Sequence, residues 1–250
     1  MNYTIGITTY EKRFDKYLKP LIRSIKEYRP DIEIILTING ENKKYFDKDY
    51  LSSILSFCST QTSVYPSVFP NFRSLCKLWN TCLVNSSNEN ILILNDDLTI
   101  SGEVFFDHLE DFLPRSRPHQ SFKINGSWSH SLLNRHEVNE VGWFDERYLG
   151  IGEEDGDFEW RWERRFGSPV STINLPAIIN HVDHDNCLRN INVINNKYSQ
   201  FNYDFAFNEK YKVCQDGDNF GIMNRPLKCE SETPGLYGAE KFYWENVHKL

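Results

Sequence analysis

Four carboxylates crowd into five positions of the 250-residue chain: Glu153, Glu154, Asp155 and Asp157, with glycines at 150, 152 and 156 around them. Like charges this close repel, and a fold keeps them where a cation, a hydroxyl donor or an acid/base task balances the cost. The glycines permit backbone conformations closed to other residues and let a ligand approach the main chain. The pattern predicts a site that holds a hydroxylated substrate. A plainer account covers part of it. Residues 158–166 read as a helix with Arg161, Arg164 and Arg165 in its later part, and acids at its start complement the helix dipole. That explains one or two of the acids, such as Glu153 and Asp157, but not all four.

A second acidic pair follows the uninterrupted apolar run 91–94, as Asn95-Asp96-Asp97. A hard divalent cation takes carboxylate oxygens together with the phosphate oxygens of a ligand, and the preceding strand fixes the backbone for it. An ordinary turn is the alternative. Further on, Asn180-His181-Val182-Asp183-His184-Asp185-Asn186 places two histidines and two aspartates within five positions. A neutral imidazole from this segment would complete a mixed nitrogen and oxygen site suited to Mn2+. A polar loop with solvated histidines is the alternative reading.

Residues this far apart in sequence need a frame to bring them to one place. The β-branched run 4–9 reads as a strand, and Leu18, Leu21, Ile22 and Ile25 recur at helical spacing after it, with Pro20 forcing a late start or a bend. The alternation continues with a strand at 32–38, a turn at Asn39-Gly40, a helix over 51–57, a strand near 62–65, a helix over 72–84 and a strand at 91–94. Three or four strand-helix units in the first hundred residues predict an α/β fold with a mainly parallel sheet covered by helices on both faces. Ligands of such sheets sit beyond the carboxyl ends of the strands, which singles out Thr9-Tyr10, Asn39-Gly40 and Asn95-Asp96-Asp97. Beyond about residue 168 come strand-like pieces at 170–173 and 178–179. Residues 187–250 read as an irregular extension packed on the same domain.

A net charge of -7 and a pI near 5.5 argue against a nucleic-acid partner held by a broad basic surface. No run approaches the roughly 18 apolar residues that cross a bilayer, and Met1-Asn2-Tyr3-Thr4 leads straight into a strand without a signal peptide. These features predict a cytoplasmic protein, peripheral at a membrane where its acceptor is lipid-borne. The cysteines at 58, 76, 82, 187, 214 and 229 have no zinc-site spacing and are expected reduced and mostly buried.

The succession of motifs resembles the GT-A fold glycosyltransferases of the family 2 type and their galactosyltransferase relatives. It runs through the strand ending in Thr9-Tyr10, the strand ending in Asn39-Gly40, Trp79-Asn80, Leu94-Asn95-Asp96-Asp97, Gly142-Trp143-Phe144-Asp145-Glu146, Gly152-Glu153-Glu154-Asp155 and a downstream histidine. The resemblance spans roughly residues 3–186 and rests on the order and spacing of these motifs. It implies a GT-A domain over 1–186, with a nucleotide part to about 100 and an acceptor part after it.

The resemblance also implies roles. Asp97 would bind Mn2+ or Mg2+ with His181, or with His184 as the close second, and Asp96 would hold the variable middle position of a D-x-D motif whose first Asp is Asn95 here. Thr9, Tyr10, Asn39, Asn80 and Asn95 would border a nucleotide sugar, UDP-linked by preference, although Asn39 stands where many relatives carry an acid for the base. Asp155 would be the base of an inverting transfer, with Glu154 holding a sugar. Trp143, Glu153 and Asp157 would face a glycan or lipid-linked acceptor, with core packing the alternative for Trp143. Trp128 and Trp160 are assigned to packing. The chemistry agrees: a carboxylate deprotonates the attacking hydroxyl, and a cation neutralises the departing diphosphate. Competing readings are a nucleotidyltransferase, disfavoured because no glycine-rich basic phosphate loop follows the first strand, a non-catalytic carbohydrate-binding module, and a two-carboxylate glycosidase. The transferase reading requires positions 97, 155 and 181 to converge.

Overall fold

The computed structural model describes residues 3–10, 13–40, 47–115, 118–181, 197–211 and 236–249. The apolar runs of the first hundred residues become strands β1 (Tyr3–Tyr10), β2 (Ile34–Asn39), β3 (Val64–Phe69) and β4 (Asn90–Asn95). Between them lie the helices α1 (Lys19–Tyr28), α2 (Lys48–Ser59) and α3 (Leu75–Asn85). Pro20 sits in the first turn of α1, where its missing N–H costs nothing, and a wide π-type turn over Phe14–Leu18 leads into it. The Asp47 side chain caps α2 by accepting from the N–H groups of Asp49 at 2.9 Å and Tyr50 at 3.2 Å. The third strand begins two residues later than expected and carries Pro66, which an edge strand tolerates.

The chain continues through β5 (Leu98–Ile100), α4 (Val104–Phe112), β6 (Phe122–Ile124), β7 (Ser127–Asn134), α5 (Arg135–Val141), α6 (Glu154–Phe166), β8 (Ser171–Ile173) and β9 (Ile178–Asn180). Among the described residues of the C-terminal stretch are α7 (Lys197–Asp204), a second wide turn over Phe205–Lys210, and α8 (Leu236–Asn246). Seven strands form one sheet in the order β3-β2-β1-β4-β7-β6-β8, while β5 and β9 pair separately. The first four strands run parallel, and β7 is antiparallel to both of its neighbours. The mainly parallel α/β sheet flanked by helices is therefore as expected, with β7 the exception.

The chain divides into two compact units. The first comprises Met1–Arg73, Thr81–Val138 and Ser171–Asp183, and the second comprises Ser74–Asn80, Asn139–Val170 and His184–Leu250. In the first, Ile5 and Ile7 of β1, Ile34, Leu36 and Ile38 of β2, and Leu92 and Leu94 of β4 pack against Leu21, Ile22 and Ile25 of α1 and Phe105, Phe106 and Leu109 of α4. In the second, Phe144 stacks on Phe158 at 4.4 Å between ring centres and meets Trp79 edge-on at 4.9 Å. Trp128 and Trp160 are buried, consistent with packing. Cys58, Cys76 and Cys82 are buried free thiols, and Cys187, Cys214 and Cys229 lie outside the described residues. Among the described residues, no helix is long and apolar enough to cross a membrane.

Gly6 lies on the face of β1 opposite Ile5 and Ile7, and a Cβ there would come within 2.7 Å of Cys82 Cβ and 2.9 Å of Ile93 Cδ1. Gly6→Ala should destabilise the fold by about 1–3 kcal/mol through overpacking, read as a lower denaturant midpoint at unchanged slope.

Candidate functional site

The order of strands places a reversal at the centre of the first unit. From β1 the chain moves outward to β2 and β3, then returns to set β4 on the other side of β1. The carboxyl ends of strands at such a switch point form a natural ligand site. The β1 and β4 ladder aligns Thr8 with Asn95, so the residues that follow each strand come together. Thr9 Oγ1 donates to Asp96 Oδ2 at 2.5 Å, and Thr8 Oγ1 donates to Asn95 Oδ1 at 3.4 Å.

Arg13 then supplies the charge this acidic turn lacks. Its Nε lies 3.1 Å from Asp96 Oδ1 and its Nη2 lies 2.8 Å from Asp97 Oδ2, with all three side chains largely buried. The guanidinium also sits 4.9 Å from the ring centre of Tyr10 and 5.1 Å from that of Tyr17. Burial works against the charged form of Arg13, but Asp96 and Asp97 more than offset it and raise its pKa. Burial pushes the Asp96 carboxyl up to about 7, against the opposing pull of Arg13 and of the Thr9 hydroxyl.

Two of the expected metal ligands do come together. The β5 and β9 ladder pairs Leu98 with Asn180, and the next step places His181 beside Asp97, with the His181 N–H donating to the Asp97 carbonyl at 3.0 Å. Their side chains are otherwise engaged: His181 Nε2 shares a 2.7 Å hydrogen bond with Thr99 Oγ1, and the Asp97 carboxylate faces Arg13. His130, buried nearby in the same unit, has its pKa lowered by burial, with Asp97 opposing. His184 lies outside the described residues. Among the described residues, no three His, Cys, Asp or Glu side chains gather around a point where an ion could sit. As arranged, with a guanidinium on both carboxylates, these residues do not fit a divalent ion.

Another expected donor-side residue turns inward. Asn39 is buried, its Nδ2 donating to the Arg73 carbonyl and its Oδ1 accepting from the Arg73 N–H, each at 2.8 Å, so its amide shapes the chain after β3. The Tyr10 carbonyl accepts from the Tyr50 hydroxyl at 2.6 Å.

In the second unit, Asn80 does comparable work. Its Nδ2 donates to the Phe144 carbonyl at 2.8 Å and to Glu146 Oε1 at 3.0 Å, while its Oδ1 accepts from the Phe144 N–H at 3.2 Å. This clamps the turn that carries Trp143, which is half-buried. The four-acid segment enters α6 earlier than expected, so Glu154, Asp155 and Asp157 occupy its first turn. Glu153 precedes the helix at φ 70°, and Gly150 and Gly152 also have positive φ. Asn202 of α7 holds this loop through the Leu149 N–H, the Leu149 carbonyl and the Gly152 carbonyl at 2.7 to 2.9 Å.

The four acids face different surroundings. Glu154 is buried and accepts from the Gly152 N–H. Asp155 is half-buried, with Oδ1 accepting from the Gly156 N–H at 2.9 Å. Glu153 is half-buried as well. Asp157 departs from its expected acceptor role: it is fully buried, and its carboxylate takes Lys210 Nζ at 2.7 Å, Arg161 Nη2 at 2.9 Å and the hydroxyls of Tyr148 and Tyr211. Lys210 also meets Asp145 Oδ2 at 2.7 Å, and Arg147 Nη2 holds the same oxygen at 2.6 Å. Burial opposes ionisation of both aspartates, yet Lys210, with Arg161 at Asp157 and Arg147 at Asp145, keeps their carboxyls below the usual range.

Arg13 and Lys210 were missed in the sequence. Arg13 had a signal, a cation three residues after a strand in a chain whose acids needed a counter-charge. Lys210 had none, because it is 53 residues from Asp157, in a stretch without periodicity.

No protein-family model and no curated protein matches the chain. Solved structures do. Glucosyl-3-phosphoglycerate synthase from Mycobacterium tuberculosis, in complex with Mn2+, uridine diphosphate and phosphoglyceric acid, matches with a TM-score of 0.54 at 14% identity over 82% of this chain and 78% of that one. The same enzyme with Mn2+, uridine diphosphate and glucosyl-3-phosphoglycerate gives a TM-score of 0.53 at 15% identity, covering 82% and 79%. S. aureus TarS matches at 15% identity with a TM-score of 0.48, over 70% of this chain, which spans 35% of the TarS chain. The architecture is the GT-A fold that the motif order implied.

Removing one partner from the buried cluster should be costly, with Lys210→Met losing about 3–5 kcal/mol of stability. Because Asp145 and Asp157 titrate low in the folded state, their stabilising effect is complete above about pH 4 and is lost as pH falls through the folded values. Without Lys210 those folded values rise, so the acid-unfolding midpoint followed by circular dichroism should move to higher pH.

Proposed function

We propose that the protein is a glycosyltransferase that moves a sugar from a nucleoside diphosphate, uridine diphosphate by preference, to a hydroxyl of a glycan or lipid-linked acceptor, with inversion at the anomeric carbon. The observation that carries this reading is the Thr9, Asp96, Asp97 and Arg13 constellation at the switch point of a GT-A sheet. The fold-level likeness to a synthase solved with uridine diphosphate adds support.

In this proposal the turns that follow β1 and β4 handle the donor. Thr9, Tyr10 and Asn95 border the nucleotide, and Arg13 brings positive charge to the acidic turn. Asp155 is the base. The acceptor oxygen attacks the anomeric carbon, its proton passes to the Asp155 carboxylate, and the bond to the diphosphate breaks with its electron pair leaving on the diphosphate. Glu154 fixes the loop through Gly152, and Trp143 and Glu153 contact the acceptor. Asn39 shapes the chain after β3, Asn80 the turn at Phe144, and Asp157 the start of α6. No step is routed through the expected Mn2+ or Mg2+, since Arg13 already balances Asp97.

Asp155→Asn should cut transfer by about 10²–10⁴-fold while leaving uridine diphosphate affinity within about twofold. The measurement is donor turnover alongside calorimetry, after a thermal-shift panel of nucleotide sugars has named the donor. Unchanged turnover in this variant rejects the base assignment, and a panel in which no nucleotide sugar raises the melting temperature rejects the function.

A further inference from the structure

We infer that Arg13 is the resident cation of the Asp96 and Asp97 pair, standing in place of a divalent metal ion and serving as the protein's own counter-charge for a nucleoside diphosphate. The inference deepens the glycosyltransferase reading and relies on it only for the diphosphate class of ligand. Three observations carry it. One guanidinium bridges both carboxylates, with Nε 3.1 Å from Asp96 and Nη2 2.8 Å from Asp97. The residue is held in place: it is 8% exposed, its ring neighbours are Tyr10 and Tyr17, and its carbonyl accepts from the N–H groups of Tyr17 and Leu18 at 3.0 and 3.2 Å. The imidazole nearest Asp97 in the ladder, His181, uses its Nε2 on Thr99.

A divalent ion approaching Asp97 would meet a buried positive charge already paired there, and would have to displace it from two carboxylates at once. A diphosphate approaching the same turn without Arg13 would meet two acids and no cation, so repulsion would oppose binding. Arginine suits the task because its planar guanidinium stays charged and can direct separate N–H donors to two carboxylates and to a phosphate oxygen. The acid pair is then the anchor that orients the guanidinium, and the guanidinium is the group that the ligand recognises.

The test has two arms on the full chain. In the first, Mn2+ alone is titrated by electron paramagnetic resonance. The wild type should show no saturable site in the micromolar range, and Arg13→Gln should bind the ion at least about tenfold more tightly by freeing the carboxylates. Micromolar Mn2+ binding by the wild type that Asp97→Asn abolishes overturns the inference. In the second arm, uridine diphosphate is titrated calorimetrically with EDTA and with Mn2+. The wild type should bind equally in both, within about threefold, while Arg13→Gln should lose at least about tenfold in EDTA, and Arg13→Lys, which keeps the charge, should lose less. Binding that requires Mn2+, or that ignores Arg13→Gln, overturns it. Should Arg13→Gln fail to fold by circular dichroism, Arg13→Lys and the wild-type Mn2+ titration still decide. If uridine diphosphate binds in neither buffer, the glycosyltransferase reading falls, and the Mn2+ arm continues to judge Arg13 by itself.

Discussion

In the parallel ladder between β1 and β4, Ile7 stands opposite Leu94 and Thr8 opposite Asn95, and both strands are buried along nearly their whole length. Side chains alternate between faces, so sliding β4 by one residue would replace Leu92 and Leu94 with the β-branched Ile91 and Ile93 against Ile5, Ile7 and Leu36, a misfit of shape in a close-packed core. The apolar contacts on this face thus enforce the register. Register in turn decides which polar residue comes next on each strand, and it brings Thr9 within hydrogen-bonding reach of Asp96. The contact between Thr9 and Asp96 is a consequence of packing several residues upstream of it.

Charge is handled differently in the second unit, where Lys210, Asp145 and Asp157 are all fully buried. Burying ions is costly even when they are paired, and apolar residues of similar shape often give equal or greater stability. What the cluster provides is definition. Lys210 ties the wide turn after α7 to both the turn at Asp145 and the first turn of α6, while Asn202 of α7 holds the glycine-rich loop between them. The segment that leads from Asp145 into the first turn of α6, where Asp155 lies, is therefore tied down by ion pairs and by the Asn202 hydrogen bonds.

Much of this architecture was legible in the sequence, for physical reasons that differ by element. Strands such as 91–94 announce themselves because two-sided burial demands an unbroken apolar run, and α1 does so through the spacing of Leu18, Leu21, Ile22 and Ile25. Even the closeness of Asp97 and His181, 84 positions apart, was anticipated from motif order, though the short β5 and β9 ladder that produces it left no periodic trace. Side-chain engagement was not legible. Asn39 and Asn80 look like ligand contacts in a motif, but an amide with both donor and acceptor serves equally well as a backbone clamp, and only the three-dimensional neighbours decide. Asp157 read as an acceptor contact or a dipole-complementing acid until its partners at 161 and 210 were placed.

The helix dipole favours some of the acids of this segment and leaves others unexplained. Three of the four lie in the first turn of α6, where negative charge is favourable by about 0.3–1 kcal/mol each. Yet the residue preceding the helix, Glu153, makes no capping bond with its side chain and sits at φ 70°, a conformation that a non-glycine residue adopts at a cost of about 1–3 kcal/mol. A segment arranged for helix stability would place serine, threonine or aspartate there in extended backbone. Glu154 turns back to Gly152 and Asp157 turns into the Lys210 cluster, so each has a local structural purpose. Asp155 sits between those two anchors, half-buried, on backbone that both of them immobilise. Strain retained at the entry to a helix, with rigid support on either side of one accessible carboxylate, is the arrangement expected where the position of that carboxylate matters more than the stability of the helix.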